Sequence, residues 1–365
     1  MLEITALCGI DQADTGLLAS SMVLRDSRCA TIWVDPSTAF LGRMSALISD
    51  GVGWQDSLEI DAQDCLTCSY LNALRVCIER VIRLGRHDLL ALRLAPSVEA
   101  DAVLESLCAT LDPEHARLDT VVGVLKAGAW LDDLSGGDIV GERGFGIQAE
   151  DDRAVATIIA AHVSSCDLLV LTEGSCSEDE LAALSALAPG TPLLLGADLL
   201  ALPMLTLART GRHRPRCLGA FERDGLLDWS ADVPRAGSSL QVLRWKSERP
   251  LHAARLSESL EALAERVIRS AGRIVIASTS DRWTRWESAG ESLSLGDLGP
   301  RGGDAAASRL TFLGRELDVH GIRSLLDSCV LTDDEYHAGP RTWHDYEDPF
   351  AVDISESDID DAEGN

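Results

Sequence analysis

The sequence predicts an α/β fold, a mostly parallel sheet with helices on both faces, followed by a small α+β domain. Three observations carry this. A chain of 365 residues is too long for one small domain. Its 46% hydrophobic residues can fill ordinary cores. Over the first two hundred residues, short apolar runs alternate with amphipathic stretches, as in βα repeats.

The strands expected in that region are Ile4–Cys8, Ala30–Val34, Leu89–Leu94, Thr120–Leu125, Leu168–Leu171 and Leu193–Leu195. Between them, Leu71–Leu84 and Val98–Leu111 carry apolar residues at three- and four-residue spacing, the helical period. Glu178–Leu187 does the same, opened by Ser177 as N-cap. Strand–helix alternation of this kind pairs strands in parallel and covers both faces. A Gly-, Pro- and Arg-rich linker is expected over 210–239, which closes a first domain of residues 1–209. A second domain, 240–336, is expected from strand Leu240–Trp245, helix His252–Ser270, strand Arg273–Ala277, a flexible loop Gly296–Ser308, strand Arg309–Leu313 and helix Val319–Cys329. The remainder, 337–365, ends in the acidic ISESDIDDAEGN and is expected to be largely disordered.

Charge narrows the function classes. The formal net charge of −27 argues against direct binding of a nucleic-acid backbone, which needs clustered Lys and Arg. Only Arg209–Arg216 concentrates positive charge. A basic protein partner or a metal ion suits the overall field better. No run of eighteen apolar residues occurs, so no membrane span is expected. The N-terminus MLEITALCGI lacks the basic start of a signal peptide, and ten cysteines then fit a reducing compartment. The expectation is a cytoplasmic protein.

The second half carries the most specific pattern. RWKSERPLHAARL (Arg244–Leu256), RSAGRIVIAS (Arg269–Ser278), WESAG (Trp286–Gly290), LTFLGRELD (Leu310–Asp318) and LLDSCVLTDDEY (Leu325–Tyr336) follow in order. This series resembles the C-terminal domain of the CobW family of metal-linked P-loop GTPases. The closing TWHDYEDPF (Thr342–Phe350) resembles the end of an actinobacterial subgroup that recruits a hibernation factor to the ribosome. The resemblance implies a P-loop-NTPase-like first domain and a CobW-type second one.

A P-loop works because glycine-rich backbone wraps the phosphates, a Lys reaches the β/γ oxygens and a Ser/Thr holds Mg²⁺. The stretch that aligns with the family's GxxGxGKTT is Gly9–Leu17, GIDQADTGL, where Asp14, Thr15 and Gly16 stand in place of Gly, Lys and Thr. The family's ExxG position reads Arg93, Leu94, Ala95, Pro96, and its guanine-reading NKxD position reads Thr172, Glu173, Gly174, Ser175. Each lost charge-assisted hydrogen bond costs roughly 1.5–3 kcal/mol, so three lost contacts remove about 5–9 kcal/mol. A micromolar ligand has only about 8 kcal/mol in total. GTP and Mg²⁺ are therefore not expected as cofactors.

Cys65 and Cys68 stand in Asp64-Cys65-Leu66-Thr67-Cys68 at the start of a helix, where the family carries its metal-binding cysteines. A CxxC turns both sulfurs toward one soft cation while the helix N-terminus favours thiolate. Three readings stand open: zinc ligation, with Asp61, Asp64 and Cys77 nearest in sequence as further ligands; thiol redox chemistry; and plain structural thiols. Cys8, Cys108, Cys166 and Cys329 lie in apolar stretches and read as core fillers. His252 reads as a capping residue or a ligand, and His337 and His344, beside Asp345 and Asp348, as a solvated tail or a loose second metal site. Trp343, Tyr346 and Phe350 suit either a docking strip for a partner or packing on their own domain.

Together with the resemblance, these residues imply a non-catalytic, zinc-responsive scaffold that would meet the ribosome or a hibernation factor through protein contacts. The alternative is a zinc metallochaperone that binds and hydrolyses GTP.

Overall fold

The first sheet gathers the apolar runs of the first two hundred residues into eight strands. In this computed structural model, residues 1–63, 65–145, 151–172, 174–213, 237–301 and 307–350 are described. Expectations that fall on Asp64, Glu173, residues 214–236, residues 302–306 and the acidic end from residue 351 lie outside them.

The chain runs β1 (Leu2–Cys8), α1 (Gln12–Arg25), β2 (Cys29–Asp35), β3 (Arg43–Asp50), β4 (Gln55–Asp61), α2 (Leu66–Leu84), β5 (Leu89–Arg93), α3 (Ala100–Thr110) and β6 (Ala116–Leu125). It continues through α4 (Trp130–Ser135), α5 (Val155–Ser165), β7 (Leu168–Thr172), α6 (Glu178–Leu187), β8 (Leu193–Ala197) and α7 (Met204–Leu207). The strand order is β4-β3-β2-β5-β1-β6-β7-β8. From β2 to β8 every pairing is parallel; β3 and β4 extend that edge antiparallel. The central strands are buried on both faces, as Ile4, Leu7, Leu90 and Val122 are, because helices cover both.

β1 and β6 pair Ile4 with Leu118 but Thr5 with Thr120, so Asp119 is the extra residue of a bulge. Its buried carboxylate accepts the N–H groups of Thr210 (2.7 Å) and Gly211 (3.0 Å) and the Thr120 hydroxyl (2.8 Å). That clamps the start of the linker to the sheet. Arg209, from the basic run, faces Asp88, Glu3 and Asp26, so its charge is already neutralised within the fold.

The second domain consists of β9 (Leu240–Ser247), α8 (Ala253–Ala264), β10 (Val267–Ile274), β11 (Arg282–Ala289), β12 (Ser292–Pro300), β13 (Ser308–Arg315), α9 (Val319–Cys329), α10 (Asp333–Ala338) and α11 (Pro340–Trp343). The five strands form an antiparallel sheet in the order β12-β11-β10-β13-β9. Two expectations change here. The helix expected over His252–Ser270 stops at Ala264, and Val267–Ser270 join a strand after Arg266 turns the chain at φ 60°. Residues 296–300, expected as flexible loop, belong to β12. The two sheets share one apolar cluster, since Leu240, Ala271, Ala289 and Leu313 pack with Leu134, Ala156 and Leu184. At the joint, Asp179 of α6 accepts from Ser238 and Ser239 and meets Arg315.

Residues 337–350, expected as part of a disordered tail, are ordered and packed. Trp343 is buried in a cluster with Ala277 and Leu331, and its Nε1 donates to the Glu335 carbonyl at 2.7 Å. Tyr346 stacks on His252 at 4.9 Å, and Phe350 packs against the second domain's core. With Trp343 buried, its ring is not on the surface to anchor a partner, so packing on its own domain is what holds this strip.

Candidate functional site

The nucleotide position shows how local sequence decides local geometry. After β1 ends at Cys8, only Gly9, Ile10 and Asp11 precede α1. Asp11 is the N-cap, and its carboxylate accepts the N–H groups of Ala13 (2.9 Å) and Asp14 (3.2 Å). These are the groups that an anion at this helix N-terminus would need, so the protein supplies its own. Asp14, Thr15 and Gly16, aligned with the phosphate-binding residues, lie inside the helix instead of in a wrapping loop. The Thr15 hydroxyl is buried and donates to the carbonyls of Asp11 and Gln12, both at 3.3 Å. Asp14 has a carboxyl pushed above the usual range by burial and by the Asp11 charge, against a pull from Lys126. Gly9 has a packing role: a Cβ there would meet the Val124 carbonyl at 2.6 Å.

Arg93, standing at the ExxG position, fills the space beside α1. Its guanidinium lies over the Trp33 ring at 4.5 Å and donates to the Gln12 carbonyl at 3.0 Å. A Cβ on Gly16 would sit 3.2 Å from it. Sequence reasoning read position 93 only as a lost carboxylate and missed Asp11 altogether. The signal for Asp11 was present, because an Asp directly before an amphipathic run is a helix start. At the guanine-reading position, Glu173 lies outside the described residues.

The cysteine pair is exposed. Cys65 is the N-cap of α2, and its sulfur accepts the Cys68 N–H at 3.3 Å. The two sulfurs share a hydrogen bond at 2.8 Å. That bond, with the backbone N–H, holds Cys65 below the ordinary thiol range and pushes Cys68 above it. Two sulfurs on one tetrahedral zinc stand about 3.8 Å apart, so the pair needs to open by about 1 Å to ligate. Being exposed, both side chains are free to do so, and thiolate sulfurs suit zinc; the donor set fits as half of a site. The other half is not close by: among the described residues no group of three or more His, Cys, Asp or Glu side chains could hold a metal. Cys77, expected as a neighbour, is buried in the core, where burial pushes its thiol up to about 12. Asp64 lies outside the described residues. Beside the pair, Leu66 and Thr67 line a cavity of ≈ 300 Å³ with Ser97, Glu99 and Arg153.

The three histidines that the sequence offered as ligands are engaged in other contacts. His252 takes the N-cap position of α8 without making a side-chain cap bond, and its ring stacks on Tyr346. His337 and His344 are hydrogen-bonded through Nδ1 to the carbonyls of Asp333 and Ser278, both at 2.6 Å. Asp348 accepts from the Ser278 hydroxyl, so the loose second metal site does not form. Cys8, Cys166 and Cys329 are buried as core residues, whereas Cys108 is half-buried and faces His213.

Residues 240–330 match the family described as the Cobalamin synthesis protein cobW C-terminal domain. A zinc chaperone of Mycobacterium tuberculosis is 26% identical over 357 residues, covering 84% of this chain and 83% of that protein. The zinc-regulated GTPase metalloprotein activator 1 of Dictyostelium discoideum is 23% identical over 331 residues, covering 79% and 69% respectively. The crystal structure of the Zn(II)-bound YjiA GTPase from E. coli is 13% identical, covers 90% of this chain and 99% of its own, and superposes with a TM-score of 0.38. No helix among the described residues is long and apolar enough to cross a membrane. Residues 240–330, behind the parallel-sheet α/β domain, are thus similar to the cobW C-terminal domain.

Proposed function

We propose that the protein carries zinc as cargo on Cys65 and Cys68 and does so without using GTP. The observation that carries the reading is the exposed, hydrogen-bonded sulfur pair at the start of α2, with one thiol held toward thiolate. Structural zinc is closed off by four protein ligands. Two protein sulfurs leave half of the coordination sphere to water or to a partner's side chains, an arrangement suited to handing an ion over. The cavity lined by Thr67 lies where such a side chain could enter. Relatives named as a zinc chaperone and a zinc-regulated metalloprotein activator support the same chemistry.

The second half of the proposal rests on α1. Its N-terminus is capped by Asp11, the aligned lysine position is a buried threonine, and Arg93 is engaged by Gln12 and Trp33. The competing reading, a GTP-hydrolysing metallochaperone, is favoured by the word GTPase in the name of the Dictyostelium relative. Calorimetry with GTP and Mg²⁺ separates them: we expect no binding tighter than about millimolar. A micromolar constant with turnover refutes the GTP-independent reading. Recruitment of a hibernation factor to the ribosome is the downstream step of this proposal, supported by a charge of −27 that suits basic proteins. Co-sedimentation of the zinc-loaded chain with ribosomes tests it, and no enrichment over a chain of similar charge counts against it.

A further inference from the structure

At the opposite end of the parallel sheet, three separate elements bring a nucleophile, a base and a carboxylate into line. Cys108 comes from α3, Asp167 from the turn before β7, and His213 from the segment clamped by Asp119. The Cys108 sulfur stands 3.7 Å from His213 Nε2. On the other side of the ring, Nδ1 stands 3.0 Å from Asp167 Oδ2. That carboxylate oxygen is itself fixed by the Val121 N–H at 2.8 Å. The His213 backbone N–H donates to the Asp119 carbonyl at 2.9 Å, so the ring is held at both backbone and side chain.

We propose that Cys108 is a peroxide-reactive thiol, activated by His213 and aligned by Asp167. A nucleophile in reach of a base that a third group orients is the arrangement that activates a side chain for attack. Burial of the imidazole favours its neutral form, but the contacts with Asp167 and Cys108 outweigh it and raise His213 to about 9. At neutral pH the ring is thus a cation whose Nε2–H faces the sulfur, the environment in which a half-buried cysteine reacts. The thiol gives its proton to solvent, the imidazolium stabilises the thiolate that forms, and the sulfur attacks one oxygen of the peroxide. The S–O bond forms as the O–O bond breaks, and the leaving oxygen takes the proton from Nε2. Sulfur is oxidised by two electrons to sulfenic acid, while the peroxide is reduced to water or an alcohol.

The test uses the full chain with Cys65→Ser/Cys68→Ser, which removes the exposed pair as a competitor. The protein is treated with hydrogen peroxide, sulfenic acid is trapped with dimedone, and adducts are quantified per cysteine by mass spectrometry. Cys176 is the comparator, another half-buried thiol, which donates to the Ser177 carbonyl. Cys108 is expected to react on the order of tenfold faster than Cys176, and His213→Gln or Asp167→Asn to slow Cys108 by about as much while leaving Cys176 unchanged. Limited proteolysis reports whether each variant keeps the fold. Equal rates for Cys108 and Cys176 in the parent chain, or a His213→Gln variant that is folded and equally reactive, overturn the assignment.

Discussion

Replacing Asp11 tests whether the protein has filled its own anion site. Its carboxylate holds the N–H groups of Ala13 and Asp14 at 2.9 and 3.2 Å. Asp11→Ala removes both acceptors and is expected to cost about 1 kcal/mol, the ordinary value of an N-cap. Asp11→Asn keeps an acceptor and removes only the charge. Loss of the favourable interaction with the helix dipole, about 0.3–1 kcal/mol, is offset by relief of the repulsion that raises Asp14. Asn should therefore be nearly neutral in stability, and Ala should melt roughly 2–4 °C lower than Asn. Denaturation followed by circular dichroism reads the difference. The same Asn variant removes a negative charge from the place a phosphate would occupy, worth about 1 kcal/mol or fivefold in anion affinity at 4 Å in water. It should still bind GTP no tighter than millimolar, because no lysine stands at this position. If Asp11→Ala and Asp11→Asn melt together, the cap is not what occupies the helix N-terminus.

Three more outcomes follow from the packing. Asp119→Ala leaves the Thr210 and Gly211 N–H groups without their acceptor and should destabilise the chain by about 3 kcal/mol or more in denaturant unfolding. His162 is buried against the Val98 carbonyl, and burial lowers it to about 4. Its contribution is fully present above pH 6.5 and is lost as pH falls through about 4, roughly 3 kcal/mol in all. His162→Asn should flatten that part of the stability–pH curve, and an unchanged slope argues against it. Trp343→Ala should destabilise the second domain by about 3–5 kcal/mol if the ring is core; no change in melting would return it to the role of a surface anchor.

The parts of the fold that the residues made legible were those with one dominant local signal. Ser177 with Glu180 announces α6 as a capping box, and the structure starts that helix there. β3 and β4 went unread although Met44, Ala46 and Ile48 alternate with outward residues, because their pattern flanks a short turn instead of a helix. Val267–Ser270 could not be told from helix by period alone, and the strand is decided by pairing with β11 and β13. At the site, Cys65 and Cys68 were legible because they are three residues apart. Cys108, Asp167 and His213 were not, because nothing in a linear pattern links a sulfur to an imidazole 105 residues away.

The zinc content of the purified chain, compared with a Cys65→Ser/Cys68→Ser variant after equilibration with one equivalent of Zn²⁺, tests the central claim most directly. About one zinc per parent chain is expected, falling as pH is lowered because the sulfurs must shed protons to bind, with the variant near zero. Equal zinc in both proteins would contradict the account.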